Sequence, residues 1–152
     1  MRIVIAAVGR LRRGPEFDLL DTYRRRIRWP VTIQEVEEKR PFPAPEQRKR
    51  EAALLAAALP AGARLIVLDA GGRQLTSEQF AARLGGWQDE GIGDLAFAIG
   101  GADGLDPGFR DAAFEKISFG SMTWPHMMVR CMLMEQLYRA QQILAGHPYH
   151  KS

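Results

Sequence analysis

Glu135 and Arg139 stand four residues apart in a run from Met127 to Leu144 that is built of helix formers, so their side chains share one face. A carboxylate beside a guanidinium can manage a proton and a developing charge together. The same spacing is also that of an ordinary surface pair stabilising a helix by about 0.2–0.5 kcal/mol. Gly146 ends the run, and His147-Pro148-Tyr149-His150 behind it carries a phenol and two imidazoles on what is otherwise a frayed tail. His126, directly after Pro125, is placed for capping or packing as well as for proton transfer. Cys131 fits a small buried hydrophobe or a reactive thiol, and Met127, Met128, Met132 and Met134 fit core or an interface between subunits.

Three glycine-bearing stretches follow apolar runs: Asp69-Ala70-Gly71-Gly72, Gly100-Gly101-Ala102-Asp103-Gly104 and Gly120-Ser121-Met122-Thr123. Glycines leave backbone N–H and C=O groups open to a ligand, although turns need them too. Two familiar ligand motifs are missing. After the first apolar run the chain reads Val8-Gly9-Arg10-Leu11-Arg12-Arg13-Gly14, which lacks the glycine spacing of a dinucleotide fingerprint, and no G-x-x-x-x-G-K-[ST] phosphate loop occurs. No pair of histidines has the spacing of a metal-binding helix, and a single cysteine offers no thiolate cluster, so no metal is expected.

These groups need a scaffold, and the hydrophobic pattern supplies alternating elements. Ile3 to Val8 reads as a strand, Pro15 to Ile27 as a helix with Phe17, Leu20, Tyr23 or Arg24, and Ile27 at helical spacing, and Val31 to Val36 as a second strand. Pro41, Pro43 and Pro45 mark a loop before a helix from Glu46 to Leu59, and Leu65 to Leu68 is a buried strand. A third helix, Ser77 to Gln88, has Thr76 or Ser77 as its cap and Phe80, Leu84 and Trp87 on one face. Leu95 to Ile99 is a strand. Asp106 then caps a short helix begun by Pro107, with Phe109, Ala113 and Phe114 expected inward, and Lys116 to Gly120 closes the series. The alternation predicts an α/β fold, a mostly parallel sheet of five or six strands with helices on both faces, and ligands at the carboxyl ends of the strands.

A length of 152 residues suits a single domain spanning 1–152. With 46% hydrophobic and 26% charged residues the composition is that of a globular chain, not a disordered one. The short apolar start, interrupted by Gly9 and arginines, is not expected to be a secretory leader, no run reaches membrane-spanning length, and lone Cys131 fits the cytoplasm. The net charge of +3 is unevenly spread: residues 1–50 hold 13 Lys and Arg against 7 Asp and Glu, while the remainder is net negative. Arg24, Arg25, Arg26 and Arg28 form one cluster, Lys39 and Arg40 a second, and Arg48, Lys49 and Arg50 a third. Such clusters are either a solvated face or a track for a phosphate backbone.

The stretch Ile99-Gly100-Gly101-Ala102-Asp103-Gly104, followed by Ser118-Phe119-Gly120-Ser121-Met122-Thr123-Trp124-Pro125-His126, resembles the knotted SPOUT class of methyltransferases. Arg130, then Glu135-Gln136-Leu137-Tyr138-Arg139-Ala140, and His147-Pro148-Tyr149-His150 resemble more narrowly the small family that methylates N3 of pseudouridine in large-subunit ribosomal RNA. The resemblance covers nearly the whole chain and is strongest after Ile99. It implies a deep trefoil knot at the C-terminal end, a homodimer, and S-adenosyl-L-methionine held by Leu68, Gly101, Gly120, Ser121, Met122, Thr123, Trp124 and Pro125. Trp124 departs from the family's usual Leu or Phe.

The resemblance also implies a substrate, a pseudouridine of 23S ribosomal RNA, met on the assembled ribosome. Methylating its N3 requires a proton to leave, so polar groups near the knot are needed, and Glu135, Arg139, Tyr149 and His150 are the candidates for catalysis. Arg24, Arg25 and Arg26 are the candidates for gripping the RNA. Two other readings remain open at this level: a knotted methyltransferase acting on transfer RNA, and a non-enzymatic ribosome-binding module on a similar sheet.

Overall fold

The computed structural model describes residues 1–151, His150 and Lys151 by their backbone alone. Among the described residues there are five strands: β1 (Arg2–Val8), β2 (Val31–Val36), β3 (Arg64–Gln74), β4 (Asp94–Ile99) and β5 (Glu115–Ser118). They form one sheet in the order β2-β1-β4-β3-β5, and every neighbouring pair is parallel, Ile5 lying beside Ile33 on one side and Phe97 on the other. The expected five or six mostly parallel strands are therefore five, all parallel. The helices are α1 (Pro15–Arg26), α2 (Ala44–Ala57), α3 (Ser77–Asp89), α4 (Pro107–Asp111) and α5 (His126–Leu144), followed by a 3₁₀ turn at Pro148–Lys151.

The strands bury both faces, as parallel strands flanked by helices must. Ile3, Ile5, Ala7, Ile66, Leu95, Phe97 and Ile99 face a core shared with α1, α3 and α5. Ala6, Val8, Val67 and Ala98 face a smaller core filled by Leu55 of α2 and by Leu105. On the larger side α5 packs against both α1 and α3, so it is the element that can carry chemistry across that face.

Local chemistry fixes the ends of these elements. Thr76 accepts from the Gln79 backbone N–H at 3.1 Å while the Gln79 side chain accepts from Thr76 N–H at 2.9 Å, a reciprocal cap stabilising α3 by about 1 kcal/mol. Asp106 caps α4 from one side only, its carboxylate accepting from the Phe109 N–H at 3.1 Å. The expected start of α2 at Glu46 is corrected to Ala44, because a proline in the first turn gives up only an N–H that has no helical partner there.

Two further expectations are corrected. Phe114 does not face inward: it is 58% exposed, with Trp87 edge-on at 6.1 Å and the Arg64 guanidinium over its ring at 4.0 Å. The five residues of α4 are too short to carry a repeating inward face that far. The Asp69–Gly72 stretch is not simply the loop that ends β3, for the strand continues to Gln74 after a shift in register. Ile117 of β5 is paired with Leu68 before the shift and again with Arg73 after it. Gly72 is required at that crossing, since a Cβ there would lie 2.7 Å from the Ile117 nitrogen and the Lys116 carbonyl carbon.

Candidate active site

Two cavities meet at the carboxyl end of β5. The smaller, about 220 Å³, is lined by Leu68 and Asp69 of β3, Ile99 at the end of β4, the loop residues Gly100, Gly101 and Gly104, and the segment Ile117 to Trp124 with His126 and Val129 behind it. Of the residues expected to hold the cofactor, Leu68, Gly101, Gly120, Met122, Thr123 and Trp124 all line it, whereas Ser121 and Pro125 belong to the same segment without forming its wall. Leu68, Ile99, Leu105, Ile117 and Val129 give it apolar sides suited to a flat purine. Met122 and Trp124 are exposed at its rim, and the Trp124 indole N–H donates to the Phe119 carbonyl at 3.4 Å.

The Gly100–Gly104 loop is tightly folded. Gly104 N–H donates to the Gly101 carbonyl at 3.0 Å, and a Cβ on Gly101 would lie 2.9 Å from Val8 Cγ1 and 3.2 Å from Glu51 Oε2. This donor set of glycine backbone and apolar walls fits an adenosine recognised by main-chain groups, which side chains at these positions would obstruct.

The larger cavity, about 520 Å³, lies between α1, α3 and α5 and is lined by Leu19, Tyr23, Phe80, Met128, Met132 and Glu135 among others. It shares Ile117, Phe119 and Gly120 with the smaller one. Glu135 lines it and gathers two more of the four catalytic candidates, Arg139 and Tyr149, by hydrogen bonds. Glu135 Oε1 accepts from Arg139 Nε at 2.9 Å and Nη2 at 2.6 Å, and from the Tyr149 hydroxyl at 3.1 Å. Glu135 Oε2 accepts from Gln136 at 3.2 Å. The side chain of the fourth candidate, His150, lies outside the described residues.

The charges follow from these contacts. Hydrogen bonds from Arg139 to Glu135 hold the guanidinium proton more tightly than usual. Burial, a hydrogen bond with the Tyr23 phenol and the nearby Glu135 push the Tyr149 hydroxyl well above its ordinary value of 10.0. Tyr149 thus keeps its proton and stays a hydrogen-bond donor, and Arg139 is a fixed cation. The 3₁₀ turn is docked by aromatic contacts: Tyr149 meets Tyr138 edge-on at 4.8 Å, and Arg139 lies over Tyr149 at 5.0 Å.

Arg24, Arg25 and Arg26 are exposed in the last turn of α1. Arg25 pairs with Asp21 at 2.8 Å, and Arg26 lies over Tyr23 at 5.7 Å and Tyr138 at 5.9 Å, so the basic cluster adjoins the aromatic group that seats the C-terminal turn.

Sequence reasoning gave no role at the site to two residues, one of them Arg130, which carries part of the resemblance. Arg130 is wholly buried, its Nη1 pairing with Glu35 Oε2 at 2.7 Å and its Nη2 donating to the Val8 and Gly9 carbonyls at 3.3 and 3.2 Å, which ties α5 to the ends of β1 and β2. Ninety-five residues separate the pair, and Glu35 sits in an alternating strand where a carboxylate looks like an ordinary outward group. The second is Glu51, whose signal is a lone acid within the alanine-leucine run of α2. Cys131 is buried, with its Sγ 3.2 Å from the Glu16 carbonyl, and burial pushes its thiol up, which leaves it inert. His126 lines the smaller cavity with a buried Nδ1 that lacks a protein partner, and burial followed by Arg130 lowers its proton affinity. Among the described residues no group of three or more His, Cys, Asp or Glu could hold a metal, and no helix is long and apolar enough to cross a membrane.

A family model described as Predicted SPOUT methyltransferase matches residues 1–150. A ribosomal RNA large subunit methyltransferase H of Rhodospirillum centenum is 55% identical over 152 residues, covering 100% of both chains. Proteins of the same name from Paramagnetospirillum magneticum and Paracoccus denitrificans are 54% and 57% identical, each alignment covering 99% of both chains.

Proposed function

The chain belongs to the SPOUT methyltransferase family, and from that premise we propose that it transfers a methyl group from S-adenosyl-L-methionine to N3 of a pseudouridine in 23S ribosomal RNA. It acts in the cytoplasm on the assembled ribosome as a homodimer of one-domain subunits with the C-terminal knot its family implies. The observation that carries this reading is the shared wall at Ile117, Phe119 and Gly120: a glycine-lined cavity suited to adenosine on one side, and on the other a cavity lined by Glu135, to which Arg139 and Tyr149 are hydrogen-bonded. Exposed Leu19 on α1 and Met128 on α5, both lining the larger cavity, support a second copy packing over this face.

When bound, the methyl donor supplies an electrophilic methyl on a sulfonium sulfur. Leu68, Gly101 and the Gly120–Trp124 segment hold and orient it. The N3–H bond of the base must break as the new N–C bond forms, and Arg139, kept cationic by Glu135, stabilises the negative charge left on the ring. Glu135 is engaged by Arg139, Tyr149 and Gln136, so its role is to orient Arg139 and Tyr149. Tyr149 donates a hydrogen bond at the site. The proton passes to one of the catalytic candidates, and the pH dependence of kcat in Glu135→Gln and His150→Ala identifies which. Radiolabelled methyl transfer followed by nucleoside analysis tests the reading on naked RNA, separate subunits and whole ribosomes. N3-methylpseudouridine from whole ribosomes is expected; a modified transfer RNA nucleoside, or no calorimetric binding of the donor, overturns it.

A further inference from the structure

We propose that Glu51 is a positioning residue of the donor site, its buried carboxyl bracing the Gly100–Gly104 loop from behind through Gly101. The inference rests on the methyl-donor reading above and concerns a residue that does not line the cavity. Glu51 projects from α2 and is only 7% exposed. Its Oε2 accepts from Gln47 Nε2 at 3.2 Å, while Oε1 is buried with no partner. Both oxygens fill the space that a side chain on Gly101 would occupy, at 3.2 and 3.5 Å from the Cβ position, beside Val8 Cγ1 at 2.9 Å.

That placement is costly unless it serves something, because a buried carboxyl oxygen without a partner forgoes its hydration. An alanine-leucine helix packed on Ala6, Val8 and Ala98 has no need of an acid at this point. The loop in front of it is held on its other side by contact between Gly100 and the Gly104 carbonyl, where a Cβ would lie 2.9–3.0 Å from backbone. Glu51 and Val8 therefore complete a rigid backing for Gly101, whose opposite side faces the cavity. Burial, against the Gln47 hydrogen bond and with Asp103 adding to it, raises the proton affinity of the Glu51 carboxyl above its ordinary value, as expected of an acid set into packed surroundings.

The test compares Glu51→Ala, Glu51→Gln and, as a stability control, Leu84→Ala, a truncation in the core on the opposite face of the sheet. Donor affinity is read by calorimetry with S-adenosyl-L-methionine, turnover at saturating donor by methyl transfer, and loop order by hydrogen exchange at the 101–104 amides without ligand. Glu51→Ala should weaken donor binding about tenfold and speed exchange of those amides by a similar factor, with kcat at saturating donor within about twofold. Glu51→Gln, which keeps the shape and a hydrogen-bonding end, should restore affinity to within about threefold of the parent. Leu84→Ala should lower Tm at least as far while leaving both loop readouts unchanged. The proposal is overturned if Glu51→Ala binds the donor as the parent does, if Glu51→Gln is no better than Glu51→Ala, or if Leu84→Ala reproduces both effects. A parent chain that binds no donor overturns the methyl-donor reading, and the exchange comparison then decides the bracing by itself.

Discussion

Replacing Glu35 by alanine removes the carboxylate that faces Arg130, and the consequence can be sized from the geometry. The Arg130 side chain is 1% exposed and that of Glu35 33%, with 2.7 Å between Nη1 and Oε2. Breaking a buried pair from one side costs about 3–5 kcal/mol, because the remaining charge is left without its partner while staying out of water. Here two features reduce that figure. The Val8 and Gly9 carbonyls still accept from Nη2, and water can reach the space left by a carboxylate that is one-third exposed, so about 2–3 kcal/mol is expected. For a chain of this size that is a fall in Tm of roughly 5–10 °C. Arg130→Met instead removes the buried charge, fills much the same volume, and lets Glu35 rehydrate while still accepting from the Leu11 N–H; it loses the donor to the Val8 and Gly9 carbonyls, so it should cost about 1 kcal/mol, less than Glu35→Ala. Thermal and urea unfolding of both variants and of the double variant measure the asymmetry. Equal losses of stability from the two single substitutions, or a Glu35→Ala variant within about 1 °C of the parent, would refute the argument that Arg130 is a charge held in place by its partner.

Tyr149→Phe deletes the hydroxyl that donates to Glu135 and should lower kcat about tenfold while leaving donor affinity unchanged, as single-turnover kinetics and calorimetry would reveal. Converting Arg24, Arg25 and Arg26 to alanine should flatten the logarithmic dependence of RNA affinity on salt by about 0.7–0.9 for each phosphate that is no longer neutralised; an unchanged slope would move the grip elsewhere. His126 has a folded-state proton affinity below its ordinary value of 6.5, first through burial and then through Arg130. Its neutral form thus contributes stability that is fully present above 6.5 and lost as pH falls through the lower folded value, so the fall in Tm between about pH 7.5 and 5.5 should be smaller in His126→Asn.

Much of the scaffold is legible in the sequence because it rests on short-range rules. The alternation of Val31–Val36 marks that strand to the residue, and the cap of α3 is narrowed in sequence to Thr76 or Ser77, of which the structure uses Thr76 with Gln79 completing the box. Periodicity fails where the third dimension decides. Gly71 and Gly72 look like turn glycines, yet Gly72 is set by the backbone of a strand more than forty residues away that presses against it. Phe17 has helical spacing with Leu20, but it remains exposed on α1. The glycine stretches that line the smaller cavity follow from where strands end. Glu135 and Arg139 are a plausible surface pair by spacing alone, and only resemblance marks them. Their union with Tyr149 depends on a chain reversal after Gly146 that no local pattern encodes. The Glu35–Arg130 contact lies further still beyond local reading, between the second strand and the last helix.

The wall formed by Ile117, Phe119 and Gly120 belongs to both cavities, so an occupant that moves it on one side reshapes the other. Thermodynamic linkage makes that relation symmetric: the factor by which an occupant of one side alters affinity on the other must be returned in equal measure. The order in which methyl donor and RNA arrive is then immaterial to the final equilibrium, but each sets the dissociation constant the other displays.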